Sequence, residues 1–508
     1  MLQQKETPSP TRTASRLRID PLGPLMAAVG LVVFLLHGFG GLLTRDLALY
    51  AYAGQQFAEG VPPYEGVMNR AGPLAHMVPG VGVMIARALG TDDLMTMRAL
   101  MMALSVVAVW LTYLLGRDAF RSRLAGVAAS ATLLTFQGFV TYAGGGPREK
   151  TTMMLLVVIA LLAVVHRRWA TSGVAIALAT LTWQPAFWTV ITVAVVAVLV
   201  GERGWRRVSG LVWVGVGGAA ATAAMVAYFW WAGAFEDFLD GFLLLNATST
   251  RQIGLVELLV TDLEELTSGF GWSLWLVIAG LVSTVVLAAL AWRTDRSDPA
   301  TAAVIAMGAG TLGSLAWAIG VFNGWADAVV VLPLAAAGAG GLTRLLVTRF
   351  EPRRATALVA AYCTVVLAVT AVDTWLTRPD EIDVMRTETE AVLAAGGRGV
   401  TALSVGAPQP LVLGQLKNPL QHQMFIGGLQ EYLDESWPGG LEAMAAVVHR
   451  DRPTFITMDH PTWYGFLHPV LLEDYRRIGT TLDFTWYVDR SVGEEKITEL
   501  TRLLATGP

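Results

Sequence analysis

The chain has 508 residues, of which 54% are hydrophobic and 15% are charged, and its mean hydropathy is +0.53. Soluble domains usually carry about 25% charged residues, so the composition excludes an ordinary soluble protein. The net charge of −4 argues against a nucleic-acid partner, which would need a basic surface. Cys363 is the only cysteine, so no intramolecular disulfide can form.

Apolar runs recur from Leu22 to about Leu376, and each is long enough, at roughly 20 residues, to cross the hydrocarbon core of a bilayer. After Thr377 the sequence becomes mixed and polar. We therefore expect an all-α polytopic membrane domain over 22–376 and a C-terminal extracytoplasmic α/β domain over 377–508. Residues 1–21 are polar and basic and lack a small-residue cleavage site, which predicts a cytoplasmic tail before a retained signal anchor.

Arginine clusters predict the topology, because positive residues near span ends mark the cytoplasmic side. The clusters are Arg12–Arg18, Arg117–Arg123, Arg167–Arg168, Arg203–Arg207, Arg293–Arg296 and Arg344–Arg354. Placing all of them inside predicts about eleven spans, a cytoplasmic N-terminus and an extracytoplasmic C-terminal domain. The spans fall at about 22–43, 95–116, 123–141, 151–166, a hairpin over 169–200, 208–232, 272–292, 299–321, 326–347 and 355–376. The excess of arginine over lysine indicates a GC-rich bacterial genome, and we expect the membrane to be a bacterial plasma membrane.

Two segments are predicted to depart from single spans. The stretch 169–200 carries Trp183-Gln184-Pro185 at its centre, and proline cannot continue the hydrogen-bond ladder of a helix, so we expect a hairpin. The outer loop 44–94 is expected to carry helices lying at the membrane surface, at about 46–60 and 72–90. A span over 72–90 would invert every later assignment.

The outer loop opens with Asp46, which fits either a helix N-cap or a general base at the membrane face. Tyr50 follows four residues later, a Gly-x-x-Pro-Tyr turn ends at Tyr64, and Arg70 precedes Pro73. This pattern resembles the GT-C superfamily, in particular the branch that contains protein O-mannosyltransferases and lipid A aminoarabinose transferases. In that branch the loop typically opens Asp-Glu-x-x-x-Tyr and later carries Lys-Pro-Pro.

The sequence departs from that pattern twice. Leu47 replaces the second acidic residue, which puts a two-carboxylate mechanism at this position in doubt. Ala-Gly separates Arg70 from Pro73, which keeps the positive charge but shifts its position.

The resemblance implies an inverting transfer of a sugar from a polyprenyl-phosphate carrier to an extracytoplasmic hydroxyl of a glycan, lipid or protein. Asp46 would be the base, and Glu149 matches an acidic residue at the start of the fourth helix. The residues implied to bind the substrate or its phosphate are Arg70, Arg148, Lys150, Arg251, Tyr50, Tyr64 and Gln184. Some of these residues have a structural alternative: a solvated turn for 148–150, a proline-kinked helix at Gln184, and an isolated surface arginine at Arg251.

The tail alternates strands and helices. Strands are predicted at 401–405 and 454–458, and helices at 383–396, 438–450 and about 470–478. No Gly-x-Gly-x-x-Gly turn follows a strand, so no nucleotide site is proposed. Asp459, His460 and His468 do not have metal-ligand spacing, so the sequence indicates no cofactor, although it leaves a divalent metal open.

Two other functions stay open at this stage. A lipid or polysaccharide transporter or flippase would place charges at the bilayer midplane and show inverted repeats, whereas here no clear repeat is found and the charges lie at the outer helix ends. A non-catalytic scaffold of cell-envelope assembly is kept open by Leu47.

Overall fold

The computed structural model describes residues 20–247, 255–321, 324–425 and 428–506. Arg251 lies outside the described residues. The helices before the tail are α1 Leu22–His37, α2 Arg45–Ala58, α3 Leu74–Leu89, α4 Asp93–Phe120, α5 Arg123–Thr135, α6 Gln137–Gly145, α7 Glu149–Val165, α8 Trp169–Thr180, α9 Ala186–Gly201, α10 Trp205–Ala232, α11 Phe235–Leu239, α12 Leu245–Ala247, α13 Leu255–Phe270, α14 Leu274–Ala291, α15 Pro299–Val321, α16 Leu332–Arg349 and α17 Pro352–Leu376.

The tail adds α18 Glu381–Gly396, β1 Ala402–Val405, α19 Gln409–Gly414, α20 Leu429–Ser436, α21 Gly440–Asp451, β2 Phe455–Met458, α22 His468–Asp474, β3 Tyr475–Thr481, β4 Phe484–Asp489 and α23 Glu494–Thr506.

The helices identify an integral membrane protein. Among the described residues, 6 helices are long and apolar enough to cross a membrane, or 7 if the bent pair α5 and α6 forms one span. Helices also occupy the other predicted positions, but α1, α7, α8 and α9 are shorter than 18 residues. Helix length therefore supports six or seven spans, and eleven crossings stay a prediction.

Two breaks shape the bundle. Between α5 and α6 the chain bends by 70°, because Phe136 takes an extended backbone (ψ 104°) that ends the first helix. The sequence predicted one continuous span there. The predicted hairpin is confirmed: α8 ends before Trp183-Gln184-Pro185, and Pro185 caps the start of α9.

Several of the arginine clusters meet at one end of the bundle. Arg123 Nε donates to Asp20 Oδ2 (3.0 Å), and Arg121 pairs with Asp298. Arg167 donates to the carbonyls of Gly201 (3.1 Å) and Ser297 (2.6 Å). We call this the arginine end, and the opposite end, which carries α2, α3 and the tail domain, the cavity end.

The tail domain contains a four-stranded mixed sheet in the order β1-β2-β4-β3, in which β1 and β2 are parallel and the other pairs antiparallel. The two predicted strands and the helices α18 and α21 are confirmed. The helix predicted near 470–478 is wrong over 475–478, where β3 begins. A register shift between Arg477 and Gly479 interrupts the two-residue alternation, and such a bulge hides a strand pattern in the sequence.

Candidate active site

Asp46 lies in the first turn of α2, where the helix dipole favours an acidic side chain. The N-cap of α2 is Thr44, so the N-cap interpretation of Asp46 is wrong. The carboxylate instead pairs with two arginines: Oδ1 lies 3.1 Å from Arg45 Nε, and Oδ2 lies 2.9 Å from Arg148 Nη1. Its side chain is 30% exposed, so one face of the carboxylate remains accessible.

The residues that open α7 form a buried ionic network with Asp46. Arg148 Nε lies 3.3 Å from Glu149 Oε2, and Lys150 Nζ lies 3.4 Å from Glu149 Oε1. Lys150 also donates to Asp327 Oδ1 at 3.0 Å. The side chains of Glu149 and Lys150 are 4% and 2% exposed, so the interpretation of this segment as a solvated turn is wrong.

Lys150 is enclosed by an aromatic ring and a carboxylate from distant parts of the chain. Its ammonium lies 3.1 Å from the centroid of the Trp183 ring, a cation–π contact. Asp327 sits in a 3₁₀ turn over Trp325–Val331, just before α16. Asp327 was not predicted from the sequence, although a carboxylate in an apolar membrane segment is itself a signal of function.

Arg98 on α4 holds together the two loops that carry these charges. Its side chain is fully buried. Nε donates to the carbonyl of Gly146 (3.1 Å), Nη2 donates to that of Gly41 (2.8 Å), and Nη1 donates to that of Phe39. The loop before α2 and the loop before α7 are therefore fixed against each other, and Asp46 meets Arg148. No local pattern in the sequence marked Arg98 for this role.

The segment that carries Arg70 is bound to the tip of the α8–α9 hairpin. Gly72 N donates to Thr182 O (3.0 Å), and Gln184 Nε2 donates to the carbonyl of Arg70 (2.8 Å). A Cβ atom on Gly72 would lie 2.1 Å from Leu181 O, so only glycine allows this approach. Gln184 thus positions the backbone of Arg70, and its interpretation as the amide of a merely kinked helix is wrong.

These elements enclose a cavity of about 190 Å³, which we call the polar cavity. It is lined by Asp46, Leu49, Tyr50, Asn69, Arg70, Ala71, Glu149, Trp183, Gln184, Pro185, Asn246, Trp317, Asp327 and Met424. Five of the residues selected from the sequence line it, namely Asp46, Tyr50, Arg70, Glu149 and Gln184. Arg148 and Lys150 are not among the lining residues, but they form ion pairs with the carboxylates that line the cavity.

Tyr64 does not line the polar cavity. Its hydroxyl donates to the carbonyl of Ala71 (2.7 Å), and its ring lies against Phe229 and Phe238. The structure therefore gives Tyr64 a packing role, in contrast to the predicted substrate contact. The role of Arg251 cannot be compared in this way, because Arg251 is outside the described residues.

The charges around Asp46 determine its protonation state. Burial alone would raise the pKa of Asp46, but the guanidinium groups of Arg148 and Arg45 outweigh burial and hold that pKa below its ordinary value. Burial and the neighbouring Glu149 carboxylate raise the pKa of Tyr50 well above its usual range. Burial lowers the pKa of the Arg70 guanidinium. At neutral pH the polar cavity therefore contains an ionised Asp46 and a neutral Tyr50.

A second, larger cavity of about 560 Å³ adjoins the polar cavity, and we call it the apolar groove. Its walls are Asp262, Leu263, Leu266, Leu274, Val277, Ile278, Leu281, Ser314, Leu315, Trp317, Ala318, Asp327, Ala328, Val330 and Val331. Trp317 and Asp327 line both cavities. The charged site and the apolar groove between the membrane helices therefore share a wall formed by Trp317 and Asp327.

Within the part of the chain that the structure describes, no group of three or more His, Cys, Asp and Glu side chains is arranged to hold a metal ion. The ionic pairs of the polar cavity are carboxylates with arginine or lysine. Such a set of donors can bind anions and accept protons.

The fold of the described residues agrees with the fold that the resemblance in the sequence implied. The chain is similar to the crystal structures of ArnT from Cupriavidus metallidurans, in the apo state and bound to undecaprenyl phosphate. Each matches at TM-score 0.60 with 13% identity over 92% of this chain, and the match covers 97% and 98% of the two ArnT chains.

The arabinofuranosyltransferase AftD from Mycobacteria also matches, at TM-score 0.48 and 17% identity, over 92% of this chain and 40% of AftD. No protein-family model matches the sequence, and no curated protein matches it. At these identities the likeness shows the fold.

Proposed function

We propose that this protein is a membrane glycosyltransferase that moves a sugar from a polyprenyl-phosphate carrier to an acceptor hydroxyl. One observation carries the proposal: the polar cavity and the apolar groove meet at Trp317 and Asp327. A polyprenyl-phosphate sugar has the same two parts, a long apolar chain and an anionic, hydroxyl-rich head. The ArnT structure with undecaprenyl phosphate is of a protein with this fold, which supports the same class of donor here.

Asp46 is the proposed base. It is the most accessible of the three carboxylates that line the polar cavity, with 30% exposure against 4% for Glu149 and 12% for Asp327. The acceptor oxygen attacks the anomeric carbon as its proton passes to Asp46, and the bond from that carbon to the phosphate oxygen breaks. The phosphate leaves with the electron pair. Attack from the face opposite the phosphate inverts the anomeric centre.

The low pKa of Asp46 fits a late proton transfer. Glycosyl transfer passes through an oxocarbenium-like transition state, in which the attacking hydroxyl becomes acidic as its bond to carbon forms. A weak base that is ionised in the ground state can then accept the proton.

Arg70 is the proposed phosphate partner. It is the one cation that lines the polar cavity among the described residues. Gln184 and Asn246 hold its carbonyl from two sides (2.8 and 3.0 Å), which fixes the backbone that aims the guanidinium. Arg148 and Lys150 act through the carboxylates they pair with, and they offset negative charge that would otherwise oppose the anionic leaving group.

We propose that the cavity end faces the extracytoplasmic side of a bacterial plasma membrane and that the arginine end and N-terminus face the cytoplasm. This follows from the arginines that converge at one end. Cysteines at exposed Thr91 and Ser436, on a Cys363→Ser background, should react with an impermeant thiol reagent in intact cells, whereas Arg121→Cys should not. The reverse pattern would invert the topology.

The donor class is tested by filling the apolar groove. Leu281→Trp adds bulk inside it and should raise the KM for polyprenyl-phosphate sugar by roughly tenfold, the equivalent of about 1.4 kcal/mol of lost chain burial. The matched control is Ile191→Trp, which fills a separate apolar cavity of about 420 Å³ between α8, α9 and α10 and should leave KM unchanged.

Both variants are compared with the wild-type protein, purified and supplied with a panel of polyprenyl-phosphate sugars and outer-membrane or cell-wall acceptors. Absence of transfer from every donor would contradict the proposed activity. Equal KM values in the two tryptophan variants would instead remove the apolar groove as the site of the chain.

A further inference from the structure

Arg45 joins carboxylates from two domains. Its Nε lies 3.1 Å from Asp46 Oδ1 on α2, and its Nη1 lies 2.9 Å from Asp459 Oδ2, which follows β2 in the tail domain. The proposed base and a residue of the α/β domain therefore share one guanidinium.

Asp459 is built into its position. Its side chain is 6% exposed, the buried Tyr464 hydroxyl donates to Oδ1, and the backbone N–H of His460 donates to the same oxygen at 2.7 Å. Gly406, at the end of β1, has φ +76°, and a Cβ there would lie 2.1 Å from Asp459 Oδ1. The ends of the two parallel strands thus form a cradle that admits the carboxylate only because residue 406 is glycine.

Other contacts also hold the tail domain against α2 and the start of α4. Tyr52 Oη accepts the N–H of Asn418 (2.8 Å), and Gln55 Nε2 donates to Val412 O (3.2 Å). Arg386 on α18 pairs with Asp92 (2.7 Å). These contacts lie away from Asp46. The ion pair between Asp459 and Arg45 is different, because Arg45 also contacts the proposed base.

We propose that Asp459 is a positioning residue through which the tail domain sets the charge and orientation of Asp46. Asp459 pairs with Nη1 of Arg45, and this keeps the guanidinium from forming a bidentate ion pair with Asp46. Asp46 then pairs through one oxygen with Arg45 and through the other with Arg148, and one face of the carboxylate is open to the acceptor. This inference rests on the proposed role of Asp46 as the base.

The effect on Asp46 follows from the charged and titratable groups that face it. Those are Arg45 and Tyr50 on α2, Tyr142 on α6, Arg148 and Glu149 at the start of α7, Arg70 across the polar cavity, and Asp459, His460, Tyr464 and Asp483 from the tail domain. Removing the negative charge of Asp459 leaves the field of Arg45 on Asp46 less compensated. Removing Arg45 takes away one of the two cations that stabilise the carboxylate.

Substitutions of Asp459 and of Arg45 should therefore shift the pKa of Asp46 in opposite directions. Asp459→Asn keeps the shape and can still accept from Tyr464 and His460, but it should lower the pKa of Asp46 further. The acidic limb of the kcat–pH profile should then move to lower pH, and kcat at its plateau should fall roughly tenfold, since tenfold corresponds to about 1.4 kcal/mol. Arg45→Gln should move the same limb to higher pH. The KM for the donor should stay constant in Asp459→Asn.

Asp474→Asn is the matched control. Asp474 is also a buried, ion-paired carboxylate of the tail domain, 2.5 Å from His449 Nδ1 and 3.2 Å from Arg452 Nη2, but it has no contact with α2. It should lose stability to a similar degree while kcat and its pH profile stay those of the wild type.

The outcomes separate cleanly. If wild-type protein transfers sugar and Asp459→Asn leaves both kcat and the acidic limb unchanged, or if Asp474→Asn changes them equally, the positioning role is wrong and the proposed function stands. If wild-type protein transfers nothing from any donor, the proposed function itself fails. Shifts of the limb in the same direction for Asp459→Asn and Arg45→Gln would also overturn the inference.

Discussion

The two ends of the helix bundle use the same residue types in opposite ways. At the arginine end, a cavity of about 510 Å³ is lined by Arg117, Asp118, Arg121, Arg123 and Arg167 among others. The side chains of Arg121 and Arg123 are 64% and 66% exposed. At the cavity end the corresponding exposures are 14% for Arg148 and 2% for Lys150.

Burial is what makes this difference functional. Exposed ion pairs are worth about 0–1 kcal/mol, so the charges of the arginine end can orient the protein in the membrane without forming a site. Buried charges are costly to desolvate and are kept only with close partners. A buried network that opens into a cavity is therefore a candidate for chemistry. Four predictions test this contrast, from the largest effect to the smallest.

Asp46→Asn should give the largest loss of activity. Asparagine keeps the size and polarity of the side chain but cannot accept a proton as a base. We expect kcat to fall by about 10²–10⁴-fold, the usual contribution of a positioned base, while donor binding stays near the wild-type value. Single-turnover transfer with purified protein would measure it.

The control for that loss comes from the arginine end. Asp118 also pairs with an arginine (2.6 Å to Arg117 Nε), yet Asp118→Asn should leave kcat unchanged. Near-normal turnover in Asp46→Asn would transfer the role of base to Glu149 and would leave the contrast between the ends without a catalytic meaning.

Lys150→Gln should give the largest loss of stability. It would remove the cation that lies between the buried Glu149 and the half-buried Asp327 (3.4 and 3.0 Å), although Glu149 would keep a second cation nearby, Arg148 at 3.3 Å. Breaking a buried pair costs about 3–5 kcal/mol, whereas the exposed Arg121→Gln should cost less than about 1 kcal/mol. Thermal unfolding in detergent compares the two variants. Equal shifts in Tm would show that burial does not distinguish the two ends.

Arg70→Ala should weaken binding of polyprenyl phosphate by roughly 10- to 100-fold, which matches the loss of one hydrogen bond to a charged group, about 1.5–3 kcal/mol. Arg123→Ala removes an arginine of the opposite end and should have no effect. Displacement of a fluorescent polyprenyl phosphate would give both affinities. If Arg70→Ala binds as tightly as the wild type, Arg70 is not the phosphate partner.

Much of the fold could be predicted, because it follows from local patterns. Apolar length and arginine position gave the helices and the common end of the arginines, and Pro185 gave the hairpin. Local patterns fail where tertiary contacts decide. No proline marks the bend at Phe136 in the sequence. The bulge at Gly479 interrupts the two-residue alternation of β3, so the sequence did not show that strand.

The candidate site divides in the same way. Asp46, Glu149 and Gln184 could be selected because their positions, at the start of a helix or at the tip of a hairpin, match positions in the family that the sequence resembles. Asp327 and Arg98 were missed, because their importance lies in partners far away in the chain. Asp459 was considered only as a metal ligand, since nothing in the tail sequence indicates that it meets Arg45.

Tyr64→Phe should give the smallest effect and defines the edge of the active region. Tyr64 was selected from the Gly-x-x-Pro-Tyr turn, but it holds that turn closed: φ is +75°, the side chain is fully buried, and its hydroxyl donates to Ala71 O at 2.7 Å. Phenylalanine keeps the packing against Phe229 and leaves one buried carbonyl without its donor, which costs about 0.5–1.5 kcal/mol.

Because Ala71 follows Arg70, that loss could reach the site only through the backbone, so kcat should change less than threefold, which is under about 1 kcal/mol, while Tm falls slightly. Tyr50→Phe is the companion variant, since Tyr50 lines the polar cavity beside Glu149. A large loss of kcat in Tyr64→Phe with Tm unchanged would place Tyr64 in contact with the substrate. The active region would then extend beyond the polar cavity to Phe229 on α10 and Phe238 on α11.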